Sequence, residues 1–225
     1  METEHQKIQE IVERELSSSA HAMEHIARVY NACLHLAKFE SGIDLEVLKI
    51  AALLHDVART REFKDTTDKI DHATLGAEMA DRILTSLGYS EKKIAHVKHC
   101  IAAHRYRSRV KPQTKEAKIL FDADKLDVVG ALGVARSFMI AGQYGQKIYS
   151  NIPIKEYLKE NVVGEKHDGR IRDISKHTPN LEFELKFKHI PEKLHTDRAK
   201  KIAEERLSFM EFFFERLKME IEGEL

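Results

Sequence analysis

An apolar run of Ile50, Ala51, Ala52, Leu53 and Leu54 leads directly into His55 and Asp56. A carboxylate at the end of a greasy segment is costly to bury unless it is paired or holds a cation. Any fold this chain adopts must therefore bring positive charge to that junction. Adjacent histidine and aspartate offer one neutral nitrogen and one anionic oxygen. His25 lies upstream and Asp124 downstream, and two such ligands from distant segments would complete a divalent-metal site.

The rest of the pattern is helical. The 225 residues suffice for one large domain, or for one domain with an appendage. Four prolines and ten glycines leave long uninterrupted stretches. A first helix is predicted over 3–16, ended by the serines at 17–19. A second covers 23–39, with Ile26, Val29, Tyr30, Cys33 and Leu36 on one stripe. Asp44 is a fitting N-cap for a third, on which Leu45, Leu48, Ala52 and His55 share a face. Residues 59–71 are polar and irregular and read as an exposed loop. Asp71 and Ser90 cap the next two helices, with Gly88 between them as a C-terminal stop. After Pro112 a helix begins near Thr114, and 126–142 reads as its apolar continuation. Residues 143–180 fit loops, short helices or an edge hairpin. An amphipathic helix closes the chain over 196–222. The expected fold class is all-α: a helical core over 1–142 and a C-terminal extension over 143–225 packing on it as one structural domain.

Composition removes several functions. Lys plus Arg equals Asp plus Glu, 37 against 37, which argues against a nucleic-acid polymer as partner. A small phosphorylated ligand needs only a few local cations and stays open. Cys33 and Cys100 are far apart and form no CxxC, so neither a disulfide framework nor a thiolate zinc site is expected. The charged start of the chain lacks a secretion signal, and no apolar run of about 18 residues could span a membrane. A cytoplasmic protein is expected.

Nitrogen and oxygen donors without sulfur suit Mn, Mg, Zn, Ni, Co or Fe without selecting one. Two histidines and two aspartates leave coordination positions open, as catalysis requires. A cation there would acidify bound water and neutralise a phosphoryl oxygen, two chief requirements of phosphoester hydrolysis.

Several ordered motifs carry a resemblance. They are HAMEHIARV at 21–29, AALLHDV at 51–57, HATLGA at 72–77, IAAH at 101–104, and ILFDADKLD at 119–127 followed by Gly130 and Ala131. The C-terminal stretch with AEER at 203–206 fits as well. Together they resemble the HD-domain superfamily of metal-dependent phosphohydrolases, in its branch of small bacterial and archaeal proteins. The resemblance implies an HD helical bundle with a C-terminal helical extension. It implies His25, His55, Asp56 and Asp124 as metal ligands for one or two divalent ions per chain, with Asp56 as the bridge if there are two. It implies that His72 and His104 complete a second site, contact a phosphate or orient the attacking water. Asp56, His72 and His104 are thus the catalytic candidates. The chain departs from some nucleotidase relatives in carrying Arg59 where they have a glutamate, and Ala22 where aspartate is common.

Lys125, Arg28 and Arg59 are the preferred phosphate-holding cations, in that order, and Asp127 could bind a ribose hydroxyl or brace a ligand. His21 could line the site. His96, His99 and Asp122 read as solvated, as does the basic run at 105–111. Most of Phe209, Phe212, Phe213 and Phe214 should be core, with one or two left for a subunit interface in a homodimer. The expected activity is hydrolysis of a small phosphate ester, a nucleotide first, as phosphomonoesterase or phosphodiesterase. The alternatives are a non-catalytic nucleotide-binding sensor or scaffold using the same pocket, and a di-iron oxygenase.

Overall fold

A computed structural model describes residues 4–16, 20–67, 69–106, 110–164 and 170–225, with the side chains of 20–22 and 170 also outside the description. The expected serine break at 17–19 and the His21 side chain fall outside the described residues. Among the described residues the fold is all-α apart from three short 3-10 turns and one antiparallel pair of two-residue strands. The chain divides into two compact units, Met1–Asp124 and Lys125–Leu225.

The first unit holds α1 (Glu4–Glu15), α2 (Ala20–Ala37), α3 (Leu45–Leu54), α4 (Arg59–Lys64), α5 (His72–Ser86), α6 (Glu91–Ala103) and all but the last two residues of α7 (Lys115–Leu126). α3 is apolar on nearly every side, with Val47, Leu48, Ile50, Ala51, Ala52 and Leu54 buried. Such a helix can only be central, and α1, α2 and α6 pack around it. The caps are those read from the sequence. Asp44 accepts from the amides of Glu46 and Val47, Asp71 from Thr74, and Ser90 from Lys93. Each removes orphan amides from a helix start and fixes where it begins.

Residues 59–71 are not loop throughout, because Arg59–Lys64 forms a short helix. None of its side chains is buried, so no apolar stripe announces it. Asp65 then folds the chain back, accepting from the amides of Thr67, Lys69 and Ile70 at 2.9, 2.9 and 2.8 Å. Asp122, expected in solvent, is fully buried. Its neighbours Ile119, Leu120, Phe121 and Ala123 are buried too, so this part of α7 has no wet face to give it.

The second unit contains α8 (Ala131–Gln143), α9 (Ile154–Asn161), the antiparallel pair β1 (Val162–Val163) and β2 (Arg170–Ile171), α10 (Pro179–Leu185) and α11 (Asp197–Glu222). The apolar stretch 126–142 is not one helix, since α7 stops at Leu126 and α8 starts at Ala131. Gly130 takes φ +80°, and a Cβ there would lie 2.9 Å from Arg206 Cγ. At Gly133 a Cβ would meet the Val128 carbonyl oxygen at 2.2 Å. The break therefore needs glycine at both positions. Tyr157, Leu181 and Leu185 form a small core, with Ile152, Ile154, Leu158, Val162 and Ile171 against it. On α11 the expectation of a mostly buried phenylalanine set fails. Phe214 is buried, Phe213 is half-buried, and Phe209 and Phe212 are 46% and 67% exposed. A single helix can bury only one stripe, and this one carries more aromatics than its stripe holds. Among the described residues no helix is long and apolar enough to cross a membrane.

Candidate metal centre

The candidate site lies within the first unit. α3 ends at Leu54, and the following turn, held by Val57 N–H to the Leu54 carbonyl at 3.1 Å, carries His55 and Asp56. α2 supplies His25, the first residue of α5 is His72, His104 caps the end of α6, and Asp124 comes from α7. The helix ends thus deliver histidines and carboxylates from distant segments to one place.

The Asp56 carboxylate is the centre. Its Oδ2 lies 3.7 Å from His25 Nε2 and 3.9 Å from His55 Nε2. Its Oδ1 lies 3.4 Å from His72 Nε2 and 3.6 Å from His104 Nε2. Asp124 Oδ1 is 3.4 Å from His25 Nε2. Two groups result, His25–His55–Asp56 and Asp56–His72–His104, and each has ligand atoms close enough together to hold an ion. Asp56 belongs to both, one oxygen facing each.

Hydrogen bonds fix the orientation of the rings. His55 Nδ1 is 2.8 Å from the Ala52 carbonyl, and His104 Nδ1 is 2.6 Å from that of Ile101. A carbonyl only accepts, so each Nδ1 carries a proton and each ring turns its Nε2 edge to the site. His72 Nδ1 lies 2.7 Å from Glu62 Oε2, its shortest contact, and 3.0 Å from Arg59 Nη1, which itself donates to the same Oε2. His72 Nε2 faces His104 Nε2 at 3.3 Å, and both face Asp56 Oδ1. His55 Nε2 and His25 Nε2 stand 3.2 Å apart. Ring nitrogens and carboxylate oxygens gathered this closely are the atoms a cation would take as ligands. The donor set, imidazole nitrogen and carboxylate oxygen, fits a divalent cation.

The electrostatics agree. Burial, reinforced by the neighbouring His104 and His25, pulls the His55 pKa down to about 4 and keeps the ring neutral. Burial likewise lowers His72. Burial pushes the Asp56 carboxyl up, but the imidazoles of His55 and His104 and the Arg59 guanidinium outweigh it and hold it well below 3.8. A neutral His55 beside an anionic Asp56 is the pair of protonation states that metal ligation needs.

The remaining sequence candidates are placed as follows. Arg59 is half-exposed, with Nη1 3.0 Å from His72 Nδ1 and 3.1 Å from Glu62 Oε2. Arg28, on α2, is 3.9 Å from Glu24 Oε2. Lys125 and Asp127 belong to the second unit, where both are buried and Asp127 pairs with Arg136. His96 is partly exposed and 3.0 Å from Glu116 Oε2, and His99 accepts from the Gln113 amide at 3.0 Å. In the basic run, residues 107–109 lie outside the described residues, and Arg105 bonds Glu62 at 2.8 Å and also Asp71. Sequence reasoning missed Glu62, which joins the cluster through His72. No local pattern marks it, because it sits on an unsignalled helix and the Asp65 turn brings it back.

Comparison with known proteins bears on the family. The HD domain model matches residues 22–129, which span every ligand named above. The chain is 27% identical over 217 residues to the uncharacterised protein YpgQ of Bacillus subtilis, covering 92% of this chain and 87% of that one. The crystal structure of B. subtilis YpgQ in complex with ADP superposes with a TM-score of 0.69 at 27% identity, covering 98% of this chain and 99% of that one. An HD-superfamily hydrolase from Bacillus thuringiensis gives a TM-score of 0.66 at 26% identity, covering 97% and 96%. Residues 22–129 thus match an HD domain, and the chain shares its fold with an HD-superfamily hydrolase.

Proposed function

We propose that this protein is a divalent-metal-dependent phosphohydrolase acting on a small phosphate ester, a nucleotide above all. The observation that carries the reading is the convergence of four imidazole nitrogens on the two oxygens of Asp56, in two groups whose ligand atoms lie close enough together to hold an ion. His25, His55, Asp56 and Asp124 hold one cation, and Asp56, His72 and His104 a second. When bound, these cations supply Lewis acidity and acidified water at neutral pH. The chain's own residues do the rest. Asp56 stays anionic and bridges the two halves. His72 and His104 give Nδ1–H to Glu62 and to the Ile101 carbonyl and turn Nε2 toward the Asp56 oxygen, so either can orient a water or take its proton at that atom. Arg59, at the half-exposed edge of the cluster, offers its guanidinium to a phosphate. Arg28, on α2 of the same unit, is the further cation offered to the substrate. Support for a nucleotide comes from the ADP bound by YpgQ.

The test is phosphate release from a panel of nucleotide monoesters, diesters and cyclic diesters with Mn, Mg, Zn, Ni, Co or Fe. The expected result is metal-dependent release that falls by about a thousandfold or more in a His55→Ala, Asp56→Ala double variant, as for loss of a metal-held nucleophile. Release that survives that variant defeats the proposal. Tight nucleotide binding without turnover under any metal favours a sensor instead. Oxygen consumption by a two-iron form favours an oxygenase.

A further inference from the structure

The histidines of the cluster are not held alike. His55 and His104 each give Nδ1–H to a main-chain carbonyl of the helix they terminate. No side-chain substitution elsewhere can remove that acceptor. His72 stands at the start of α5, where no preceding helical carbonyl is in reach; its Nδ1 lies 2.7 Å from the Glu62 carboxylate, closer than the 3.0 Å to Arg59 Nη1, and a carboxylate only accepts, so Nδ1–H goes to Glu62. Glu62 Oε1 also lies 3.4 Å from the His72 amide. The carboxylate is itself held by Arg59 at 3.1 Å and Arg105 at 2.8 Å, and Arg105 is tied back to Asp71, the cap of α5.

We propose that Glu62 is the positioning residue for the second cation alone, fixing the tautomer and orientation of His72 while leaving the His25–His55–Asp56–Asp124 half untouched. This deepens the reading above and rests on it. A carboxylate accepting from Nδ1 keeps Nε2 bare and makes the ring a stronger ligand. Without it the ring is free to protonate Nε2, where the Asp56 carboxylate 3.4 Å away attracts the proton, and Nε2–H cannot bind a metal. Glu62 lies on α4, which buries no side chain. The second cation is thereby coupled to a surface segment, and the first is not.

Calorimetric titration with Mn2+ and nitrogen NMR of the metal-free histidines test this together. Wild-type protein should bind two ions and show His72 in the Nδ1–H form. Glu62→Leu should weaken the second ion by about a hundredfold and Glu62→Gln, which still accepts, by about tenfold, while the first ion stays within about twofold in both. The His72 ring should shift toward Nε2–H in Glu62→Leu. If the leucine variant does not fold, the glutamine variant and its His72 tautomer decide. Parallel weakening of both ions, as a merely structural role would give, overturns the proposal, as does an unchanged second ion or an unchanged tautomer. Ion binding that ignores Glu62 defeats this proposal alone. Absence of any ion from the wild-type protein defeats the reading it rests on as well.

Discussion

Each unit buries a cluster of histidine and carboxylate, and the two are wired in opposite senses. In the second unit Asn161 Nδ2 donates to the Tyr157 hydroxyl at 2.9 Å, and that hydroxyl donates to His177 Nδ1 at 2.7 Å. His177 Nε2–H then donates to Glu182 Oε2 at 2.6 Å, and Lys186 meets the same carboxylate at 2.9 Å. Every donor ends on an acceptor, so the network is complete as it stands and serves the packing around Tyr157. In the first unit the ring nitrogens gather on one another and on both oxygens of Asp56, in two groups whose atoms lie close enough to hold an ion. Both clusters are histidine-rich and buried, so neither composition nor burial separates them. The arrangement does: a closed chain is structural, and an open set of ligand atoms around one carboxylate suits a cation.

The largest effect expected from this contrast is on Asp56, the one residue shared by both halves of the open set. Asp56→Ala should abolish binding of both ions in a Mn2+ titration, because each half then keeps only histidines and, at the first, Asp124. Retention of either ion at wild-type affinity would show that the carboxylate does not bridge.

Next in size is the closed chain. Tyr157→Phe leaves His177 Nδ1 and Asn161 Nδ2 without the hydroxyl between them, a loss of about 1–3 kcal/mol in denaturant unfolding, with Mn2+ binding unchanged. An unaffected stability would mean that the network contributes nothing to the fold.

The closed chain should also respond to acid. Burial pushes the Glu182 carboxyl up, but the His177 hydrogen bond and the Lys186 charge outweigh it, and its pKa lies below the ordinary 4.5. A carboxyl lowered by folding adds stability that is complete above the unfolded value and is lost as pH falls below it. Amide-exchange protection over α9 and α10, taken relative to the intrinsic rate at each pH, should therefore fall below about pH 4.5, the unfolded carboxylate value. In Glu182→Gln that acid-dependent step should shrink.

The smallest effect has the opposite sign. In metal-free protein, His104→Leu relieves the facing acceptors, and should change stability by no more than about 1 kcal/mol, and toward the more stable side. A loss as large as that of Tyr157→Phe would place both clusters in the same structural class.

Local chemistry explains why some of this is legible in the sequence. The caps Asp44, Asp71, Ser90 and Thr196 bond to amides two or three residues ahead, so they can be read without knowing the fold. The positions of His25, His55, Asp56, His72, His104 and Asp124 follow from ordered motifs. Which rings share an oxygen of Asp56 is a tertiary fact. Glu62 reaches His72 only because Asp65 reverses the chain between them. The break at 127–130 depends on Gly130 meeting Arg206 and Gly133 meeting Val128, which no periodicity encodes. The Tyr157–His177–Glu182 chain comes from a mixed stretch whose partners lie up to 20 residues apart. The burial of Asp122 and the exposure of Phe212 are decided by which helix faces are covered, and both run against residue type.

The most direct test is an anomalous diffraction map from crystals grown with Mn2+. The account predicts one peak on His25, His55, Asp56 and Asp124 and a second on Asp56, His72 and His104, with the Asp56 carboxylate between them. A map with no peak at this cluster, while the rings keep the same facing geometry, would contradict it.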